Sequence, residues 1–462
     1  MFMWLTVHIR VTDADSRQPL AVRLRIVRAD GTEAAPLGYH CDFPTHRHED
    51  VGGRVRRGAE RWYYIDGSCE IVLSGGEPLH IQATAGPDYQ PLDLHTTLGA
   101  GQLTLRLALQ RCWDRRQTTW KALDLRCHDL NPHVAALEGA AEGLEVVQLL
   151  ARRISFLSQD GQTYDITPPW PVFSGQQPLV CHGDTQVFVN TLNEHPVLGR
   201  VALLHAHRPI FPLSFTSDDG DDWSVGDWCD QCHRKGGLTV WVDACEWGPA
   251  GVRGADALVA ALLGQIDAIE LSPQPRQIPL LPWVYHLWNA GILIPLVGSS
   301  AKESNRTILG QIRTYAQVQQ GDWVAAIKSR RCCVSDGPVL HLEQQGAQIR
   351  ATTQPSDRRA IVELIADGQI VARGEGEVQG HCAEAGWVAA RLAGPRLGHT
   401  APLLVRPSFP QKSTARAALR AVIERFQQWI ETIGRFHQPK RRQYLLERCA
   451  AAIGRLEQPL PS

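Results

Sequence analysis

Period-two alternation of apolar and polar residues dominates the first hundred positions of the chain. Leu5-Thr6-Val7-His8-Ile9-Arg10-Val11 and Ala21-Val22-Arg23-Leu24-Arg25-Ile26-Val27 each place apolar residues on one face of a strand. Turn chemistry follows each of them, in Asp13-Ala14-Asp15-Ser16 and in Asp30-Gly31. Further strands are expected at 61–65, 69–73, 80–84 and 102–107. Short strands with regular turns predict a small antiparallel β-sandwich over residues 1–112. Between them runs a polar insert, Thr32 to Glu60. It carries His40, His46 and His48, and the His46-x-His48 pair is a candidate for metal or for simple solvation.

The pattern changes near Trp113. Val134 to Glu142 suits a helix, and Gly143 to Leu150 a buried strand. Strands are expected at 187–190, 201–205, 237–243, 268–271 and 292–298, with helices at 225–235, 254–263 and 283–289. This βα rhythm over 113–330 implies a largely parallel sheet or barrel, in which polar residues at the C-terminal strand ends carry chemistry. Alternation in Leu123-Asp124-Leu125-Arg126-Cys127-His128 sets Asp124, Arg126 and His128 on one face of such a strand. Other strand-end groups are His205 and His207, Asp243 with Glu246, Glu270, and Ser299-Ser300 with Lys302. Residues 331–408 return to strands, with an Asp367-Gly368 hairpin turn, and predict a second small β-sandwich. From 409 to 462, two amphipathic helices (414–433 and 440–456) are broken by His437-Gln438-Pro439. They read as a hairpin docked on its own chain or as a contact with a second copy.

Composition narrows the classes. Lys+Arg 47 against Asp+Glu 48 gives a net charge of -1, which argues against a nucleic-acid partner. No apolar run approaches the ~20 residues of a membrane span. The first ten residues read as a strand rather than a signal peptide, so a cytoplasmic protein is expected. The 12 cysteines follow no disulfide framework. Cys229-x-x-Cys232 falls in the expected helix 225–235, with no second pair at zinc spacing, so buried structural thiols are the simpler reading.

The order of segments carries a resemblance. A sandwich precedes a strand with Asp124-x-x-x-His128, followed by Glu138-Gly139-Ala140-Ala141-Glu142-Gly143-Leu144. Later come Gly236-Gly237-Leu238-Thr239-Val240-Trp241, Leu296-Val297-Gly298-Ser299-Ser300-Ala301-Lys302, Leu309-Gly310-Gln311-Ile312-Arg313-Thr314-Tyr315-Ala316 and Ser335-Asp336-Gly337-Pro338. From about Thr6 to Pro402, this series resembles the carbaryl-hydrolase-like branch of the PHP-type metallohydrolases. The resemblance implies a distorted (β/α) barrel with metal ions at its strand ends, and activated water attacking an ester or phosphoester. The fold class expected overall is multidomain α/β plus β, with sandwich, PHP-like barrel, second sandwich and helical hairpin in that order.

Three departures from the family pattern matter, one of them Asp243, which follows the strand 237–242 where the family commonly has a histidine. Arg126 stands where the family strand, Asp-x-His-x-His, has its middle histidine, and Arg offers no lone pair to a metal. Ser300 stands where the family has an aspartate after Gly-Ser. The metal candidates are Asp124, His128, His205, His207, Asp243 and Glu270, which suit one ion of Zn, Mn or Fe. The catalytic candidates are Arg126, Glu138 and Lys302. Two readings stand together. One is a metal-dependent hydrolase with a reduced or lost metal site, acting on a small-molecule ester or phosphoester. The other is a catalytically inactive scaffold in which Arg126 neutralises Asp124, Asp243 or Glu138, or joins Lys302 in clamping an anionic ligand. The sequence leaves open whether the chain forms a homo-oligomer.

Overall fold

The computed structural model describes residues 4–37, 51–157, 163–166, 172–215, 220–244, 252–271, 280–319, 322–357, 359–406 and 409–458. His40, His46, His48 and Glu246 lie outside them. The chain forms two compact units. The first gathers residues 1–149, 178–188 and 300–313; the second gathers 150–177, 189–299 and 314–462.

The first unit begins as the alternation predicts. Trp4–Asp13 buries every second residue, with Leu5, Val7, Ile9 and Val11 inward. It lies between Ser68–Ser74, antiparallel, and Thr104–Leu109, parallel. The parallel pair corrects the expectation of a purely antiparallel sandwich. A second sheet runs in the order Arg54–Arg57, Glu60–Asp66, Ala21–Arg28, Pro78–Thr84, Leu92–Thr97. Val22, Leu24, Ile26, Leu79 and Ile81 share one core with the first sheet's inward residues. Each such side chain contributes about 1.5–3 kcal/mol of burial.

Next comes a βαβ unit. Trp120–Cys127 is buried at every position from Ala122 to Cys127, as a strand covered on both faces must be. Helix Pro132–Ala141 starts with Pro132 in its first turn, behind Asn131, whose side chain accepts the His133 N–H. Val146–Ala151 then runs parallel to the first strand, with a register shift between Val147 and Leu149.

In the second unit, Thr185–His195 (whose first residues belong to the first unit), Gly199–Leu204 and Leu238–Trp241 pair antiparallel. Leu238–Trp241, Ala268–Leu271 and Leu296–Gly298 continue in parallel. The sheet is therefore mixed rather than largely parallel. Every sheet among the described residues is open, and the closed barrel implied by the resemblance is not formed there. The Asp367-Gly368 turn joins Ile361–Ala366 to Gln369–Glu375, with both turn residues at positive φ, as a primed turn requires. Helices Ser413–Thr432 and Pro439–Glu457 pack on each other and on helix Ala255–Leu262 of the same unit. The docked hairpin is thus observed. No helix among the described residues is long and apolar enough to cross a membrane.

Candidate functional site

In the first unit, the strand-end residues and the glutamates of helix Pro132–Ala141 form a buried constellation. The turn Ser300 to Lys302 lies beside the end of strand Trp120–Cys127, with Lys302 bridged in parallel to Cys127. The backbone carbonyl of Lys302 accepts the His128 N–H at 2.7 Å. Strand pairing therefore brings Asp124, Arg126, His128 and Lys302 together, all of them buried.

Asp124 is held chiefly by the backbone. Its Oδ1 accepts the N–H of Ser300 at 3.1 Å and that of Arg126 at 3.2 Å. Its Oδ2 accepts the N–H of Gly310 at 2.8 Å. Burial nevertheless pushes its carboxyl above the usual range, against these bonds and that of the Ser300 hydroxyl. The family position filled by Ser300 thus holds a residue that pins Asp124.

Glu138 and Lys302 form an ion pair from which water is wholly excluded. Lys302 Nζ lies 3.2 Å from Glu138 Oε2 and donates to the Thr307 carbonyl at 2.7 Å. Both side chains are 0% exposed. Burial raises the Glu138 pKa, with the Lys302 charge and the Gly53 N–H opposing it. Gly53 donates to Glu138 Oε1 at 2.6 Å and Gly52 to Asn305 Oδ1 at 2.8 Å. Gly52 has φ +110°, and a Cβ there would come within 2.8 Å of Val134 and Leu130. Only glycine lets this loop seat on the glutamate. Glu142, one turn on, takes the Tyr64 hydroxyl at 2.9 Å and faces Arg23 at 3.3 Å. The i,i+4 spacing did place both glutamates on one face, and that face is interior. The expected neutralisation of Glu138 by Arg126 is replaced by Lys302.

The candidates of the second unit have separate partners. Strand Gly199–Leu204 ends before His205, which sits at φ +56°. The alternation that would align His205 with His207 therefore stops. His205 lies 3.7 Å from Asp322, and burial lowers its pKa. His207 is exposed and hydrogen-bonds the Lys235 carbonyl through Nδ1 at 2.9 Å. Asp243, at φ +50°, accepts from Arg200 Nη1 at 3.0 Å. Glu270 accepts the Ser299 hydroxyl. Cys229 and Cys232 are buried free thiols whose pKa burial raises, that of Cys232 to about 12, so neither is primed as a nucleophile or zinc ligand.

Two features of the first unit were not singled out in the sequence. Hairpin 54–61 carries Arg54, Arg56, Arg57 and Arg61, with Arg56 directly opposite Arg61. Among the described residues none of the four is ion-paired. Like charges at facing positions cost stability, and this is the signal that could have flagged the Arg-Val-Arg-Arg run. The second is a cluster of His80, Asp93 and His95 on neighbouring strands, each with one ligand atom within 4.8 Å of the others. A cleft of about 200 Å³ lined by Asp88, Arg111, Arg115 and Glu145 offers less, because Arg115 already pairs with Glu145 at 2.6 Å and with Asp88 at 3.1 Å.

Comparison of the chain with protein-family models gives no match, and comparison with curated proteins gives none either.

Proposed function

We propose that this chain is a catalytically inactive relative of the carbaryl-hydrolase-like metallohydrolases, which keeps the strand-end architecture as a scaffold for an anionic ligand. The observation that carries this reading is the wholly buried Lys302–Glu138 pair at the end of strand Trp120–Cys127. In the family this is where a divalent ion collects its oxygen and imidazole ligands. Here an ammonium group already balances Glu138, and the oxygens of Asp124 take three backbone N–H groups. The described donor set does not fit a divalent ion, because the Lys302 ammonium already sits on Glu138 and backbone N–H groups hold both oxygens of Asp124. No hydrolytic step is therefore derived through a metal.

The anionic character of the ligand rests on hairpin 54–61, which follows Gly53 directly. Arg54, Arg56 and Arg61 share one face of the hairpin, have no ion-pair partner among the described residues, and suit a phosphate or carboxylate through forked hydrogen bonds. One observation favours a second reading, a metal-dependent ester or phosphoester hydrolase: Asp124 and His128 remain buried together at one strand end.

Metal content by plasma mass spectrometry tests the choice, on protein purified without chelator or metal-binding tag. Wild type and His128→Ala are compared, beside an esterase and phosphoesterase screen. The scaffold reading expects no metal whose occupancy depends on His128, and no turnover. Near one equivalent of Zn, Mn or Fe that is lost in His128→Ala overturns it in favour of the hydrolase.

A further inference from the structure

We propose that His80, Asp93 and His95 form a surface site for a borderline transition-metal ion, Zn²⁺ or Cu²⁺, on the outer face of the five-stranded sheet. The site follows from strand register. Pro78–Thr84 and Leu92–Thr97 pair antiparallel, with His80 opposite His95 and Gln82 opposite Asp93. Leu79, Ile81 and Ala83 fill the core, so His80 and Gln82 must point outward. The two imidazoles stack with centroids 4.1 Å apart and planes only 5° from parallel. Both direct Nε2 at the same oxygen, Asp93 Oδ1, at 2.7 Å from His80 and 4.0 Å from His95. Two nitrogens and a carboxylate converging on one point are a three-ligand set that leaves a fourth position for water.

The surroundings hold this set in place. Gln82 Nε2 donates to Asp93 Oδ2 at 2.9 Å, and its Oε1 accepts from Arg25 Nη1 at 2.9 Å. Arg25 thereby fixes which way the amide faces, and the amide turns Oδ1 towards the histidines. Such outer partners commonly orient metal-bound carboxylates. The Arg25 charge is itself met by Glu33 at 2.7 Å and Glu60 at 3.6 Å, which limits its repulsion of an ion. Metal–ligand bonds of about 2.0–2.2 Å require the three atoms to draw together slightly. The side chains are partly or wholly exposed and free to do so. Binding uses the Nε2 lone pairs with each imidazole N–H on Nδ1, so any proton lying between His80 Nε2 and Asp93 moves to Nδ1 or leaves to solvent.

The test is a Zn²⁺ titration of the full chain by calorimetry, with Cu²⁺ electron paramagnetic resonance on the same samples. Wild type should bind one ion, with copper coupled to two imidazole nitrogens. His80→Ala and His95→Ala should each lose one of the couplings and most of the affinity. Gln82→Leu, which keeps all three ligands, should weaken binding by about tenfold. All of these positions lie on the sheet surface, and a circular dichroism spectrum matching wild type confirms that each variant folds. Binding that is absent, or unchanged in both histidine variants, overturns the proposal. The outcome is independent of the strand-end site, because that site is probed through His128.

Discussion

The strand-end constellation and the His80–Asp93–His95 cluster contain similar residue types and behave in opposite ways. At the strand end, the chain itself supplies the partners of the carboxylates: Asp124 holds three N–H groups, and Glu138 holds the Gly53 N–H and faces the Lys302 charge. On the sheet face, two imidazoles meet one carboxylate oxygen at the solvent boundary, where their side chains stay partly exposed. The contrast teaches that ligand character lies in uncommitted lone pairs rather than in a list of His, Asp and Glu. Burial decides the commitment, since a polar group removed from water must find its partners within the chain.

The largest effect that could break this comparison comes from the sealed pair. Lys302→Met leaves Glu138 buried without its counter-charge, and should lower unfolding stability by about 3–5 kcal/mol in urea titrations. The double variant Lys302→Met with Glu138→Leu should regain the larger part of that loss. A single variant as stable as wild type would mean that the pair is not a seal. Asp124→Asn comes next. Its amide must set an NH₂ donor against a backbone N–H that meets a carboxylate oxygen in the wild type, and the expected loss is about 2 kcal/mol by the same measurement.

His399 sharpens the comparison from the sealed side. Burial lowers its pKa to about 4, while its Nδ1 donates to the Thr400 carbonyl and its Nε2 accepts the Tyr285 hydroxyl. The folded state resists a proton that the unfolded chain binds near pH 6.5. The stabilising contribution is therefore complete above pH 6.5 and is lost as pH falls towards about 4. Across that window the slope approaches about 1.4 kcal/mol per pH unit. Unfolding curves at several pH values should show it in wild type and not in His399→Gln. The smallest expected effect is no effect at all. Cys229 and Cys232 should resist a thiol reagent in the native protein, while exposed Cys112 and Cys181 react. Labelling of the buried pair without denaturant would contradict their sealed environment.

Much of the fold was legible because it is local. The alternation in Leu5 to Val11, the Asp367-Gly368 turn and the two C-terminal helices all appear where the pattern puts them. The site was legible only in part. The spacing of Glu138 and Glu142 gave their shared face, and the strand gave Asp124 its interior position. The partnership of Glu138 with Lys302 spans much of the chain, and no local pattern encodes it. His205 and His207 failed as a pair because one residue at positive φ ends the strand that would have aligned them. The His80–His95 pairing needed the register of two strands, which alternation leaves undetermined by whole steps of two.

The first unit is assembled from three separated stretches of chain, and this has a temporal consequence. On a ribosome, helix Pro132–Ala141 emerges well before the segment that carries Lys302. At about 5–20 residues per second the interval is on the order of ten seconds. Throughout it Glu138 has no ammonium to meet, and closing it away from water would cost several kcal/mol. The nascent first unit should therefore stay open to solvent at this helix, and complete its folding only after residue 313 has left the exit tunnel.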